Sequence, residues 1–154
     1  MSYPKWAEPS AKALEQSRKS IDEVVGEVPE DAWANDSGYS GWSIKDHLSH
    51  LAGSHEGVQG VLQNVLDGTA PDFSRFLNLD AINEETRQKD LTTPVPELRT
   101  NFKEASGRTL ELIGKLDESH GEVKFGPMTM AQALQGFSMH DLEHMEQMKK
   151  ALPA

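Results

Sequence analysis

Ile44-Lys45-Asp46-His47-Leu48-Ser49-His50-Leu51-Ala52-Gly53-Ser54-His55-Glu56-Gly57-Val58 decides the fold. Ile44, Leu48, Leu51, His55 and Val58, continued by Leu62 and Val65, fall in alternating steps of four and three residues. That spacing puts one apolar stripe on one face of a helix, the pattern of a bundle helix. Ser43 stands where an N-cap belongs, with Asp46 three residues on, and Gly68 follows Asp67 as a C-terminal cap. The reading is therefore one long helix from Trp42 or Ser43 to about Asp67.

Working outward, the same pattern recurs. Before this helix, Leu14, Ile21, Val24 and Val25 mark a first helix that begins after Pro9, with Ser10 as its N-cap, and breaks between Gly26 and Pro29. Pro29 to Trp33 reads as a short helical turn with Pro at its first position, and Asn35 to Gly41 is a loop dense in turn residues. After Pro71 comes a charged connection with a short, irregular helix around Leu79 to Lys89. A third long helix follows Thr93-Pro94, with Leu98, Phe102, Ala105, Thr109, Leu112, Ile113 and Leu116 as its stripe. Ser119 to Pro127 is a loop. A fourth long helix, capped by Thr129, runs to about Ala151 with Met130, Ala133, Leu134, Phe137, Leu142, Met145 and Met148 facing inward. No stretch alternates as a strand would. The expectation is a single all-α domain over residues 1–154, a four-helix bundle whose second and third long helices are joined by a long crossover.

Composition narrows the function. The chain of 154 residues has a net charge of −10 and no cysteine. The acidic balance argues against a nucleic-acid surface, which needs clustered Lys and Arg. The absence of cysteine excludes disulfides, thiolate ligands and a cysteine nucleophile. Met1 to Trp6 carries no apolar signal-peptide core, and no apolar run of about eighteen residues exists, so no membrane partner and a cytoplasmic location are expected.

Six histidines are the candidate chemistry: His47, His50, His55, His120, His140 and His144. His140 and His144, in Met139-His140-Asp141-Leu142-Glu143-His144-Met145, lie four residues apart, one helical turn on one face. A divalent metal is the commonest object that two such imidazoles share. A third ligand must come from elsewhere. His120 lies in a loop, and periodicity on the second helix favours His55, which falls on the stripe, then His47; His50 sits roughly 120° away.

Two stretches resemble a known family. Gly41-Trp42-Ser43-Ile44-Lys45-Asp46-His47-Leu48-Ser49-His50-Leu51-Ala52-Gly53 is similar to the helix-two signature of the DinB/YfiT-like metalloenzymes, and His140-Asp141-Leu142-Glu143-His144-Met145-Glu146-Gln147 to their last-helix His-x-x-x-His signature. The superfamily includes mycothiol- and bacillithiol-dependent S-transferases and the maleylpyruvate isomerase N-terminal domain. The resemblance spans the chain in length and helix order. It implies His50, His140 and His144 as a three-histidine metal site, a bundle with a long crossover, and a homodimer. Zn²⁺ or Ni²⁺ would suit three imidazoles. A metal there would lower the pKa of a bound water or of a low-molecular-weight thiol such as mycothiol or bacillithiol. The implied activity is transfer of that thiol to, or isomerisation of, a small electrophilic substrate. A non-catalytic helical binding or stress-response module with a structural metal or none is the alternative, and a metal-dependent hydrolase a further one.

Other residues carry competing readings. His140-x-x-Glu143-His144 matches an inverted zinc-peptidase pattern, but on a helix Glu143 points away from the histidine face. Asp46 serves either as a partner for the His50 ring or, preferably, as an acid at the helix N-terminus. Trp42 either lines a pocket or anchors the helix start. Met139, Met145 and Met148 read as core filling. Arg75, Arg87, Arg99 and Arg108 are the cations that would bind an acidic cofactor group, unranked by sequence.

Overall fold

The computed structural model describes residues 2–154; Met1, which the expected N-terminal stretch and domain include, lies outside the described residues. The chain is predominantly helical. Among the described residues five α-helices run α1 (Glu8–Glu27), α2 (Ile44–Asp67), α3 (Leu79–Asp90), α4 (Val95–Gly114) and α5 (Met130–Lys150). Strands β1 (Lys124–Phe125) and β2 (Met128–Thr129) form a two-residue antiparallel hairpin before α5.

Local chemistry sets the helix ends. The Ser43 side chain accepts from the Asp46 backbone N–H, while the Asp46 carboxylate accepts from the Ser43 N–H. This reciprocal box satisfies two donors that the first turn would otherwise leave unpaired. Thr129 and Gln132 close the same box on α5. Gly68 ends α2 at φ +74°, a left-handed conformation in which a Cβ is strained.

Several expectations are corrected. Helix α1 begins at Glu8, not after Pro9, because Ala7 and Glu8 already donate to the Pro4 carbonyl; Ser10 is then a buried residue inside the helix, not its cap. Leu116 lies beyond the end of α4, although it is buried. The expected loop before α5 contains the hairpin and a short 3-10 turn, Glu118–Glu122. On α5, Leu142 and Met139 are exposed, and the buried row is instead Leu134, Ser138, Asp141, Met145 and Met148, again in steps of four and three. An aspartate takes a core position there.

The core is two apolar clusters with a polar layer between them. One gathers Leu14, Leu62, Val65, Leu110, Ile113, Met130 and Leu134; the other gathers Ile21, Ile44, Leu48, Leu51, Leu98, Phe102, Met145 and Met148. Along α2 and α4 the chain passes from the second cluster to the first, and along α1 and α5 from the first to the second. Helices α2 and α4, which pack on each other, therefore run the same way. Residues 69–94 carry the chain back between them. Helix α3, inside that segment, buries none of its residues fully and lies against α2, where Thr86 packs on Gly53. Between the clusters lie His55, Thr109 and Asp141, all buried. No described helix is long and apolar enough to cross a membrane.

Candidate metal centre

At the α2–α5 contact, His50, His140 and His144 converge. One ring nitrogen from each lies within 4.8 Å of the other two. The ring centroids are 4.4 Å apart for His50 and His144, 4.5 Å for His140 and His144, and 4.9 Å for His50 and His140. The Nε2 atoms of His50 and His140 approach to 2.9 Å. His144 is buried and the other two are half-buried. Periodicity on α2 passes over His50 because the stripe marks the driest face, whereas a group facing a cleft sits to one side of it.

The two rejected helix-two histidines have other partners. The Ser37 hydroxyl donates to the Trp42 carbonyl at 2.8 Å, so its one proton is used. The Nε2 of His47, 2.8 Å from Ser37 Oγ, must then be the donor in that contact. That leaves Nδ1 of neutral His47 as an acceptor, and Nδ1–H of His144 donates to it across 2.8 Å. The chain of bonds fixes the His144 tautomer and leaves its Nε2 lone pair unengaged. His55 lies in the polar layer, with Nε2 2.6 Å from Asp141 Oδ2 and Nδ1 3.0 Å from Thr109 Oγ1. Thr109 spends its own proton on the Ala105 carbonyl at 3.1 Å. His55 therefore donates to Thr109, and one further proton is shared between its Nε2 and Asp141.

Asp141 links this layer to the trio. Its Oδ1 and the Nδ1 of His140 are both buried without a hydrogen-bond partner, and they lie 3.8 Å apart. Sequence reasoning did not single out Asp141 or Ser37, and it took Thr109 only as a stripe residue. The available signal was the carboxylate at a stripe position of α5.

Burial governs the charge state of the rings. It pulls the His47 pKa down to about 4. Burial and then the neighbouring His140 and His47 rings bring His50 to about 3, and burial followed by the His50, His140 and His47 rings brings His144 to about 2. These rings are neutral near pH 7, as metal ligation requires. Burial opposes ionisation of Asp141, but the adjacent His140 and His55 outweigh it and hold its carboxyl below the usual range.

Trp42 walls one side of the cluster, stacked on His144 at 16° and 5.8 Å, and tilted against His50 at 5.0 Å. Asp46 is committed to the α2 cap, with Arg87 3.8 Å away. Glu143 is exposed. On the open side, His50 and His140 border a cavity of about 340 Å³ between α2, α5, the hairpin and the α3 segment.

A predominantly helical chain with this pair of signatures and this histidine cluster defines a protein of the DinB-like class. The chain belongs to the family described as the mycothiol maleylpyruvate isomerase N-terminal domain, whose model matches residues 14–145. No curated protein and no solved structure matches it.

Proposed function

We propose that the protein is a metal-dependent enzyme in which His50, His140 and His144 hold one divalent ion, Zn²⁺ or Ni²⁺, and that it transfers a low-molecular-weight thiol to a small electrophilic substrate or isomerises that substrate. The convergence of three imidazoles from two helices at the edge of a cavity carries this reading.

The residues fit such an ion. All three donors are imidazole nitrogens, which suit zinc and nickel. Burial keeps His50 and His144 neutral. The unpartnered Nδ1 of His140 faces the unpartnered Oδ1 of Asp141, as in the carboxylate–histidine pairs that support metal-ligating histidines. A divalent cation held there supplies Lewis acidity that makes a nucleophile from water or a thiol near neutral pH. The protein's own residues orient the donors. His47, anchored by Ser37, holds the His144 ring with Nε2 free. Asp141, anchored by His55, offers its second oxygen to His140. Trp42 screens one face of the cluster from water. With no cysteine in the chain, the thiol must be a bound small molecule.

On this reading residues 1–154 form one domain in which α1, α2, α4 and α5 make a four-helix bundle, the segment holding α3 crosses between α2 and α4, and two copies form a homodimer that works in the cytoplasm. The sharing of both apolar clusters among the four long helices supports the bundle. Turnover of electrophiles by zinc- or nickel-loaded protein, with and without mycothiol or bacillithiol, tests the activity. The expected result is thiol-dependent turnover that is lost on chelation and in His144→Ala. Equal turnover of esters or amides without thiol would replace S-transfer by hydrolysis.

A further inference from the structure

The cavity beside His50 and His140 has a composition unlike the rest of the surface. Its wall is mostly apolar, with Phe76, Phe125, Leu134 and Phe137 among the lining residues. Among the described residues no Asp or Glu lines it, in a chain whose net charge is −10. Arg75 is the one Lys or Arg among the described lining residues. Arg87, Arg99 and Arg108 are engaged by Glu84, Asp22 and Glu111 at 2.9–3.1 Å, whereas the exposed side chain of Arg75 makes no ion pair or hydrogen bond among the described residues. The structure therefore ranks the four arginines that sequence could not.

Two glycines add to this. Gly57 on α2 and Gly136 on α5 lie inside helices, where glycine weakens the element. Both line the cavity, yet a Cβ at either would meet nothing within 4 Å, and neither has a positive φ. Neither close packing nor backbone conformation accounts for glycine there. What the missing side chains leave is room. At about 340 Å³ the cavity is at the small end of the range for small-molecule sites.

We propose that this cavity receives an electrophile built on an apolar monocarboxylic acid, with its hydrocarbon body against the phenylalanine wall, its carboxylate at Arg75 and its electrophilic centre at the His50 and His140 edge. The proposal rests on the reading of the histidine trio as the reaction centre and names the substrate class for it. With the metal stripped, a dicarboxylate would leave its second charge without a cation, and a polyol would set most of its hydroxyls against the phenylalanine wall.

Calorimetric titration with octanoate and 4-phenylbutyrate, against 1-octanol and succinate as controls, tests this on zinc-loaded and on chelator-stripped protein. Both acids are expected to bind both forms of the protein, and succinate is not expected to bind the stripped form. Arg75→Gln should weaken octanoate at least tenfold and leave 1-octanol unchanged. Gly136→Leu, or Gly57→Val if the first fails to fold, should abolish binding of octanoate and 1-octanol while melting temperature and zinc content stay at the parent values. Succinate binding to the stripped protein as tightly as octanoate, or octanoate affinity unchanged in Arg75→Gln or in the folded glycine variant, would overturn the proposal. Zinc content measured on the same samples separates the two claims. Protein that shows the octanoate pattern but takes up no zinc sinks only the metal reading; protein that takes up zinc without that pattern sinks only the cavity assignment.

Discussion

Asp141 is the residue on which two networks meet. One oxygen is tied to His55 at 2.6 Å and the other faces His140 unpartnered. If it positions His140 for a metal, Asp141→Asn should weaken zinc binding about 10- to 100-fold, read by competition with a chromophoric chelator. Unchanged zinc affinity in folded Asp141→Asn would remove that role. The lowered pKa values of His47, His50 and His144 make a separate prediction about the metal-free protein. In the unfolded chain these rings titrate near 6.5, in the folded one at about 4, 3 and 2. Below pH 6.5 the unfolded state therefore binds more protons, and stability falls as pH falls towards 4. Each unit of depression is worth up to about 1.4 kcal/mol per ring. Denaturant midpoints in chelator should be lower at about pH 5 than at about pH 7.5; equal midpoints would contradict buried, neutral rings. The histidine pair on α5 was legible from spacing because i and i+4 is a local relation. The place of His50 beside them was not, because it depends on which side of α2 the cleft lies, and that is set by the packing of α3 and α5. The resemblance named the three histidines whose ring nitrogens converge.

Element boundaries were legible where chemistry is local. Ser43 with Asp46, Thr129 as a cap, and Gly68 after Asp67 could each be read from a few residues, and each closes its helix as expected. Ser43→Ala should therefore cost about 1 kcal/mol, measured by urea denaturation, and a change below about 0.3 kcal/mol would mean that packing alone holds the start of α2. The start of α1 was misread because the turn on the Pro4 carbonyl draws the helix back to Glu8, and nothing in Ser10 reveals that its hydroxyl will be buried. The hairpin of β1 and β2 was missed because two-residue strands are too short to show alternation. Leu142 was placed inside because it is apolar, while the inward position belongs to Asp141, one residue earlier. A buried carboxylate with a histidine partner overrides the simple pattern.

For the whole molecule, the division of the core explains how the site is held. Two apolar clusters clamp the four long helices at either end, and the polar layer of His55, Thr109 and Asp141 sits between them. The histidine trio lies beside this layer, where the α3 segment covers α2 without burying a residue of its own fully. The all-α class was readable because the chain carries four amphipathic stripes and no alternating one; the cavity was not, because it arises from α2, α5, the hairpin and the α3 segment together. The central claim is that His50, His140 and His144 hold one metal ion. The direct measurement is the metal content per chain of untagged protein after zinc or nickel loading, with His50→Gln, His140→Gln, His144→Gln and, as a control, His120→Gln. The account predicts one ion per chain in the parent and in His120→Gln, and loss of it in each of the other three. A parent that retains no ion, or His50→Gln that retains it in full, would contradict the account.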